Sequence, residues 1–182
     1  MSQDIVDRVT SLVNSFDARV QAAPSDGWGA PAPCADWTAR DVVVHVGNNL
    51  GGMAAGLTGQ TPTPIADDDD IVDAWTTRRD AFFAAIQAAD LNTVVPGPMG
   101  PMPAAQVIGR LISMDVLVHT WDLAKATGGD LALDVDAVTM SYSGIKPMDA
   151  MIRQPGLFGP KLDTPAGADI QTEFLRFLGR PA

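Results

Sequence analysis

The chain has 182 residues, 46% of them hydrophobic, and its 22 acidic and 12 basic side chains give a net charge of −10. This length suits one domain with a full core, spanning residues 1–182. The negative charge repels phosphate backbones and anionic membrane surfaces, so nucleic acid and membranes are not expected partners. No apolar run approaches the roughly 20 residues that span a bilayer, no signal-peptide pattern opens the chain, and a single cysteine fits a reducing compartment, so a cytoplasmic protein is predicted.

Apolar residues recur at helical spacing along most of the chain, which predicts an all-α fold. The first helix is predicted over residues 2–22. The second is predicted from Thr38, as N-cap, to about Leu57, and Asp41 three residues after the cap completes an acidic capping box.

The middle of the chain predicts two further helices separated by a crossover loop. The acidic run 67–70 lacks the spacing and the glycine of a calcium loop, so it is expected at the positive end of a third helix over 71–89. Residues 91–102 are rich in proline and glycine and are predicted to be the loop. Pro103 suits the first turn of a long, uninterrupted fourth helix that ends at the glycine pair 128–129.

Shorter helices are predicted for the last third of the chain. A fifth begins near Asp134, reaches about Met151 and is interrupted near Pro147. Residues 153–161 are predicted to be irregular, and a sixth helix is predicted over 168–178.

The two histidines of the chain lie in the second and fourth predicted helices. Asp115 and His119 are four residues apart, so they project from one helix face about one turn apart, with Asp122 close to that line. If the two helices pack side by side, His45, Asp115 and His119 converge into a two-histidine, one-carboxylate set. Such a set leaves metal positions open to water or substrate, as catalytic sites do.

Two interpretations of these residues stay open at this point. Each histidine is either a metal ligand or a core residue whose hydrogen-bond partner is a carboxylate such as Asp115. Asp122 either orients a ligand from behind or forms a surface ion pair with Lys125.

Neighbouring polar residues also allow two interpretations. Cys34 is either a small buried hydrophobe, the favoured interpretation, or a thiol that lines the mouth of the site. Asn48 and Asn49 either line the same pocket as His45 or, as favoured, form a polar helix face.

Two motifs in this order resemble the DinB/YfiT-like metalloproteins, and specifically the metal-binding domain of mycothiol-dependent maleylpyruvate isomerase. They are Ala32-Pro-Cys-Ala-Asp-Trp-Thr-Ala-Arg-Asp41, followed by His45, and Asp115-x-x-x-His119-x-Trp-Asp-Leu-Ala-x-Ala-Thr-Gly128. The segments 155–160 and 178–181 are similar to those of small single-domain relatives.

The resemblance implies a four-helix bundle in an up-down-down-up arrangement with additional short C-terminal helices. It implies that His45, Asp115 and His119 bind a divalent metal, most often Zn²⁺, with Ni²⁺ or another ion also compatible. The isomerase has Glu in place of Asp115, and it carries a C-terminal substrate-binding domain, whereas this chain ends soon after the bundle. Isomerisation of maleylpyruvate itself is therefore not expected.

Three functional hypotheses follow from the residues and the resemblance. The first is a transferase or isomerase that uses a metal and a thiol such as mycothiol on an electrophilic small molecule. The second is a non-catalytic metal-binding or sensing module, which could act as a homodimer. The third is a metal-free helical interaction domain.

Overall fold

The computed structural model describes residues 2–34, 36–97, 100–154 and 158–182. Helices dominate this part of the chain, which confirms the predicted all-α class; their bounds are α1 Ser2–Ala22, α2 Ala39–Thr58, α3 Ile71–Ala88, α4 Ala104–Gln106, α5 Ser113–Thr127, α6 Val135–Ile145, α7 Asp149–Ile152 and α8 Ile170–Phe177. Among the described helices, none combines the length and the apolar character needed to cross a membrane.

The four long helices form a bundle, in agreement with the DinB-like fold. Helix α2 packs between α3 and α5, and α1 closes the ring by packing against α5 and α3. Each of these helices contributes fully buried side chains to one core, including Phe16, Leu50, Trp75 and Leu117. The bundle therefore places α2 beside α5, which is the arrangement that the candidate metal site requires.

The start of α2 is fixed by the predicted capping box. The backbone N–H of Thr38 donates to Asp41 Oδ2 over 2.8 Å, and the N–H of Asp41 donates to Thr38 Oγ1 over 3.3 Å. These bonds use two of the backbone donors that a helix N-terminus leaves without partners. The helix ends at Thr58, followed by Gly59 in the left-handed conformation.

The acidic run begins the third helix, as predicted. Asp70 is the N-cap of α3, and its side chain accepts hydrogen bonds from the backbone N–H groups of Val72 and Asp73. The loop before it is held by the guanidinium of Arg40, which donates to the carbonyls of Ala66, Asp67 and Asp69.

The prediction of an uninterrupted fourth helix is wrong at its first half. Between α4 and α5, residues Val107–Ile112 form a π-helical segment. The wider turn is supported by side chains, because Ser113 Oγ donates to the carbonyl of Ile108 over 2.8 Å and Arg8 Nη2 approaches that of Gly109 at 3.5 Å. Spacing of apolar residues does not distinguish such a segment from an α-helix, whereas the predicted stop is confirmed by Gly128 with φ of 73°.

The predicted crossover loop contains a small hairpin. Strands β1 (Val94–Val95) and β2 (Met102–Pro103) pair antiparallel, so Pro103 ends a strand and occupies the N-cap position of α4 instead of lying in the first helical turn. Two-residue strands are too short to leave an alternating pattern in the sequence. Residues 98 and 99 of this loop lie outside the described residues.

The C-terminal third follows the predicted order of short helices. The break near Pro147 is confirmed, since residues Lys146–Met148 form a 3₁₀ turn between α6 and α7. Helix α8 begins at Ile170, two residues later than predicted, because Asp169 is its N-cap. Residues 155–157 of the segment predicted to be irregular lie outside the described residues.

Candidate metal centre

The segment before α2 brings two side chains to the α2–α5 contact. The backbone N–H of Ala32 donates to the carbonyl of Trp37 over 2.8 Å, and that of Trp37 donates to the carbonyl of Cys34 over 3.2 Å. Asp36 completes this turn with φ of 64°, a left-handed conformation that aspartate tolerates better than most residues. The turn places Cys34 and Trp37 beside the histidines.

The three predicted ligand residues converge at one point. His45 on α2 and Asp115 and His119 on α5 have donor atoms that all lie within 4.8 Å of one another. One oxygen, Asp115 Oδ1, lies 3.1 Å from His45 Nε2 and 3.5 Å from His119 Nε2. The two imidazole rings meet edge to face, with centroids 4.8 Å apart.

These distances fit a tetrahedral metal ion. Ligand atoms about 2.0–2.1 Å from one Zn²⁺ at tetrahedral angles lie about 3.3 Å from one another. The aspartate side chain reaches both imidazoles directly. The side chains of His45 and Asp115 are 33% and 26% exposed against 9% for His119, so the set is partly accessible to solvent on the side of His45 and Asp115.

The carboxylate of Asp115 and the imidazole of His119 strongly shift each other's pKa values. Burial raises the pKa of the Asp115 carboxyl, but hydrogen bonds from His119 and His45 outweigh it and hold that pKa far below its usual value. Burial lowers the pKa of His119, but its hydrogen bonds to Asp115 and Asp122 outweigh that effect and raise the pKa well above the ordinary range. A positive charge between the two carboxylates is therefore stabilised.

Asp122 lies behind His119 and is fully buried. Its Oδ2 accepts a hydrogen bond from His119 Nδ1 over 3.0 Å. Arg180, near the C-terminus, donates to the same carboxylate from Nη2 over 2.9 Å and from Nε over 3.2 Å to Oδ1. The surface pair with Lys125 is thus wrong, because a side chain with 0% exposure has a stronger partner inside the protein.

Cys34 is not a buried hydrophobe, so the favoured interpretation of this residue is wrong. It is half-buried, its Sγ donates to Asp122 Oδ2 over 3.1 Å, and Arg180 Nη2 lies 3.4 Å from the sulfur. The thiol also lies 3.9 Å from His119 Nδ1. It belongs to the polar network behind the imidazole.

Two residues of the site were assigned too little or no role from the sequence. Asn49 Nδ2 donates to Asp115 Oδ2 over 3.0 Å and lies 3.1 Å from His45 Nε2. Trp37 stacks on His119 at 20° between planes and 5.7 Å between centroids, and it contacts His45 at 4.9 Å. The position of Asn49, four residues after His45 on the same helix, is a sequence signal for its role in the site. The position of Trp37 next to the capping box is a weaker signal for its role.

Comparisons with known proteins identify the family of the chain. The family model described as the mycothiol maleylpyruvate isomerase N-terminal domain matches residues 9–124, which include the whole candidate ligand set. The uncharacterized proteins Rv0738 and MT0763 of Mycobacterium tuberculosis, from strains H37Rv and CDC 1551, are each 30% identical over 183 aligned residues, with 92% of this chain and 92% of the relative covered. No solved structure matches the chain significantly. With more than half of its length matched, the chain belongs to the mycothiol maleylpyruvate isomerase N-terminal domain family, within the DinB-like superfamily.

Proposed function

We propose that this protein binds a divalent metal, Zn²⁺ first of all, through His45, Asp115 and His119. We further propose that it is a transferase or isomerase that uses a low-molecular-weight thiol such as mycothiol on an electrophilic small molecule. The observation that carries the proposal is the position of Asp115 Oδ1, within 3.5 Å of an imidazole nitrogen from each of two helices and open to solvent on one side.

Each residue of the site has a distinct part in this function. Zn²⁺ with an open position supplies Lewis acidity, which lowers the pKa of a bound thiol at neutral pH. Asp122 fixes His119 by accepting from Nδ1, so that Nε2 faces Asp115 Oδ1. Asn49 holds the second oxygen of Asp115, and Trp37 covers one side of both imidazoles.

The reaction class follows from thiol chemistry. In a transfer, the thiol loses its proton, its sulfur forms a bond to an electrophilic carbon, and the leaving group departs with its electron pair. In an isomerisation, the thiol adds to an activated double bond and is eliminated again after rotation, so the thiol is regenerated. Both begin with thiolate attack, so the site residues do not select between them.

Metal content tests the first half of the proposal. We expect purified protein, reconstituted with Zn²⁺ and freed of excess, to hold one zinc per chain by plasma mass spectrometry. His45→Ala and His119→Ala should lose it. Asp130→Asn is the matched control, because Asp130 is exposed and pairs with Arg19. Folded protein without stoichiometric metal would instead support the metal-free interaction domain.

Thiol binding and turnover test the second half. Mycothiol added to the cobalt-substituted protein should produce sulfur-to-cobalt charge-transfer absorbance, and zinc-loaded protein should accelerate conjugation of mycothiol to 1-chloro-2,4-dinitrobenzene. Both effects should be absent in His45→Ala. Stoichiometric zinc with neither thiol binding nor turnover would assign the protein to the non-catalytic, metal-binding class.

A further inference from the structure

His119 belongs to two sets of metal-ligating side chains. The first set, with His45 and Asp115, uses Nε2 of the imidazole. The second set consists of Cys34, Asp122 and His119, whose donor atoms also lie within 4.8 Å of one another. Thiolate, carboxylate and imidazole together form a donor set that Zn²⁺ and softer ions favour. One imidazole thus faces a candidate metal position on each side.

The guanidinium of Arg180 lies against the second set. Nη2 is 2.9 Å from Asp122 Oδ2 and 3.4 Å from Cys34 Sγ, and Nε is 3.2 Å from Asp122 Oδ1. Arg180 is buried, with 8% of its surface exposed, and its Nη1 donates to the carbonyl of Leu178. A guanidinium keeps its charge at any physiological pH, so a fixed cation already contacts two of the three side chains that a metal ion in the second set would need.

The turn that follows α8 positions the guanidinium of Arg180. Gly179 has φ of 82°, its N–H donates to the carbonyl of Arg176, and the N–H of Arg180 donates to that of Leu175 over 2.9 Å. This is the bond pattern of a Schellman motif, which reverses the chain at the end of a helix. The reversal turns the Arg180 side chain toward α5.

We infer that Arg180 is a positioning residue that acts as a built-in cation: it closes the Cys34–Asp122–His119 set to metals and directs a metal to the Nε2 side of His119. The inference rests on the proposed function for the first set, but its central claim concerns the second. With Arg180 in place, Asp122 Oδ2 lies 3.0 Å from His119 Nδ1 and accepts a hydrogen bond from Cys34 Sγ over 3.1 Å, so the three donor atoms of the second set contact one another. The arrangement gives one imidazole one metal.

Cadmium provides a direct test, because its bond to a thiolate gives ultraviolet charge-transfer absorbance and Cys34 is the only cysteine. Wild-type protein titrated with excess Cd²⁺ should show no such absorbance. Arg180→Gln should gain it together with an additional equivalent of bound Cd²⁺. Arg180→Lys, which retains a cation, should resemble the wild type, and Cys34→Ser in the Arg180→Gln background should lose the new absorbance.

A purely structural role for Arg180 predicts a lower melting temperature and no thiolate absorbance. Circular dichroism and thermal melting establish that each variant is folded, and Arg180→Leu serves as a second variant if Arg180→Gln fails to fold. Thiolate absorbance in the wild type, or its absence in a folded variant without the cation, would overturn the inference. Loss of zinc at the first set alone would contradict the proposed function but leave the cadmium result intact.

Discussion

At the scale of single residues, two adjacent asparagines in α2 have different roles, one in the candidate site and one in the fold. Asn49 is exposed and donates to Asp115 Oδ2 over 3.0 Å. Asn48 points away from the site and accepts a hydrogen bond from the backbone N–H of Ile65 over 2.9 Å. The sequence allowed both to line the pocket of His45 or, as favoured, to form a polar helix face, and only the packing of α2 on its neighbours separates their roles.

The two asparagines predict opposite phenotypes. Asn49→Ala should weaken zinc affinity by about 10–100-fold, the usual cost of losing a group that orients a ligand, with little change in stability. The measurement is competition for zinc against a chelator of known affinity.

Asn48→Ala is the matched control for this prediction. It should leave zinc affinity unchanged and lower the free energy of unfolding by about 1–3 kcal/mol, because the N–H of buried Ile65 loses its acceptor. Equal zinc affinities for wild type and Asn49→Ala would remove Asn49 from the site.

At the scale of elements, the helix ends determine where the site residues lie. The capping box at Thr38 fixes the residue at which α2 begins. Trp37 directly precedes the box, and His45 follows it within the helix. At the other end of the chain, the reversal after α8 positions Arg180. Both devices use local hydrogen bonds to orient a side chain that acts elsewhere.

The capping box makes part of the stability of α2 depend on pH. Hydrogen bonds from the side chain and the backbone of Thr38 lower the pKa of Asp41 below its usual value. A carboxyl with a lowered folded pKa adds stability that is present above its unfolded pKa, about 3.9, and is lost as pH falls through the folded value. Asp41→Asn should therefore be less stable than wild type near pH 7 by urea denaturation, and the difference should shrink in acid. Asp26→Asn, which removes an exposed charge outside the capping box, is the control for the change in net charge.

Two glycines in the left-handed conformation predict substitutions that lower the free energy of unfolding by different amounts. Gly59 and Gly179 both have positive φ, 71° and 82°, but an added Cβ meets nothing within 4 Å at Gly59 and lies 2.9 Å from the Pro160 carbonyl oxygen at Gly179. Gly59→Ala should cost about 1–2 kcal/mol of unfolding free energy from the backbone conformation alone. Gly179→Ala should cost more and should also weaken zinc binding by displacing Arg180. An equal loss of unfolding free energy in both variants would show that the backbone near Pro160 moves easily to accommodate the added Cβ.

Sequence patterns predict the elements whose signals are local and long. The helical spacing of Asp115 and His119, the Thr38 cap and the glycine stop at Gly128 were sufficient for α2 and α5 and for the convergence on His45. The π-helical segment and the hairpin were not predicted, because neither changes the spacing of apolar residues over enough positions. The role of Arg180 in the site was not predicted, because Arg180 lies 58 residues from Asp122 in the chain and its contact with Asp122 depends on how α8 packs.

At the scale of the whole molecule, zinc and folding should be linked. The ligands come from α2 and α5, which meet only in the folded bundle, so a metal bound to all three stabilises the native state. At free Zn²⁺ 100 times the Kd, the free energy of unfolding should rise by about 2.7 kcal/mol and the melting temperature by about 5–11 °C. Differential scanning calorimetry checks this, with His45→Ala as the variant that should not respond. An equal rise in that variant would indicate binding elsewhere on this acidic surface.

The stacking of Trp37 on the His119 imidazole, beside its tilted contact with His45, has an optical consequence. Protonated imidazole quenches indole fluorescence on contact, and displacement of the His119 proton by a cation removes that quencher. Of the other tryptophans, Trp75 and Trp121 are buried in the bundle and have no such contact with either histidine. The emission of Trp37 should therefore brighten as the site fills, so that unlabelled protein reports its own occupancy.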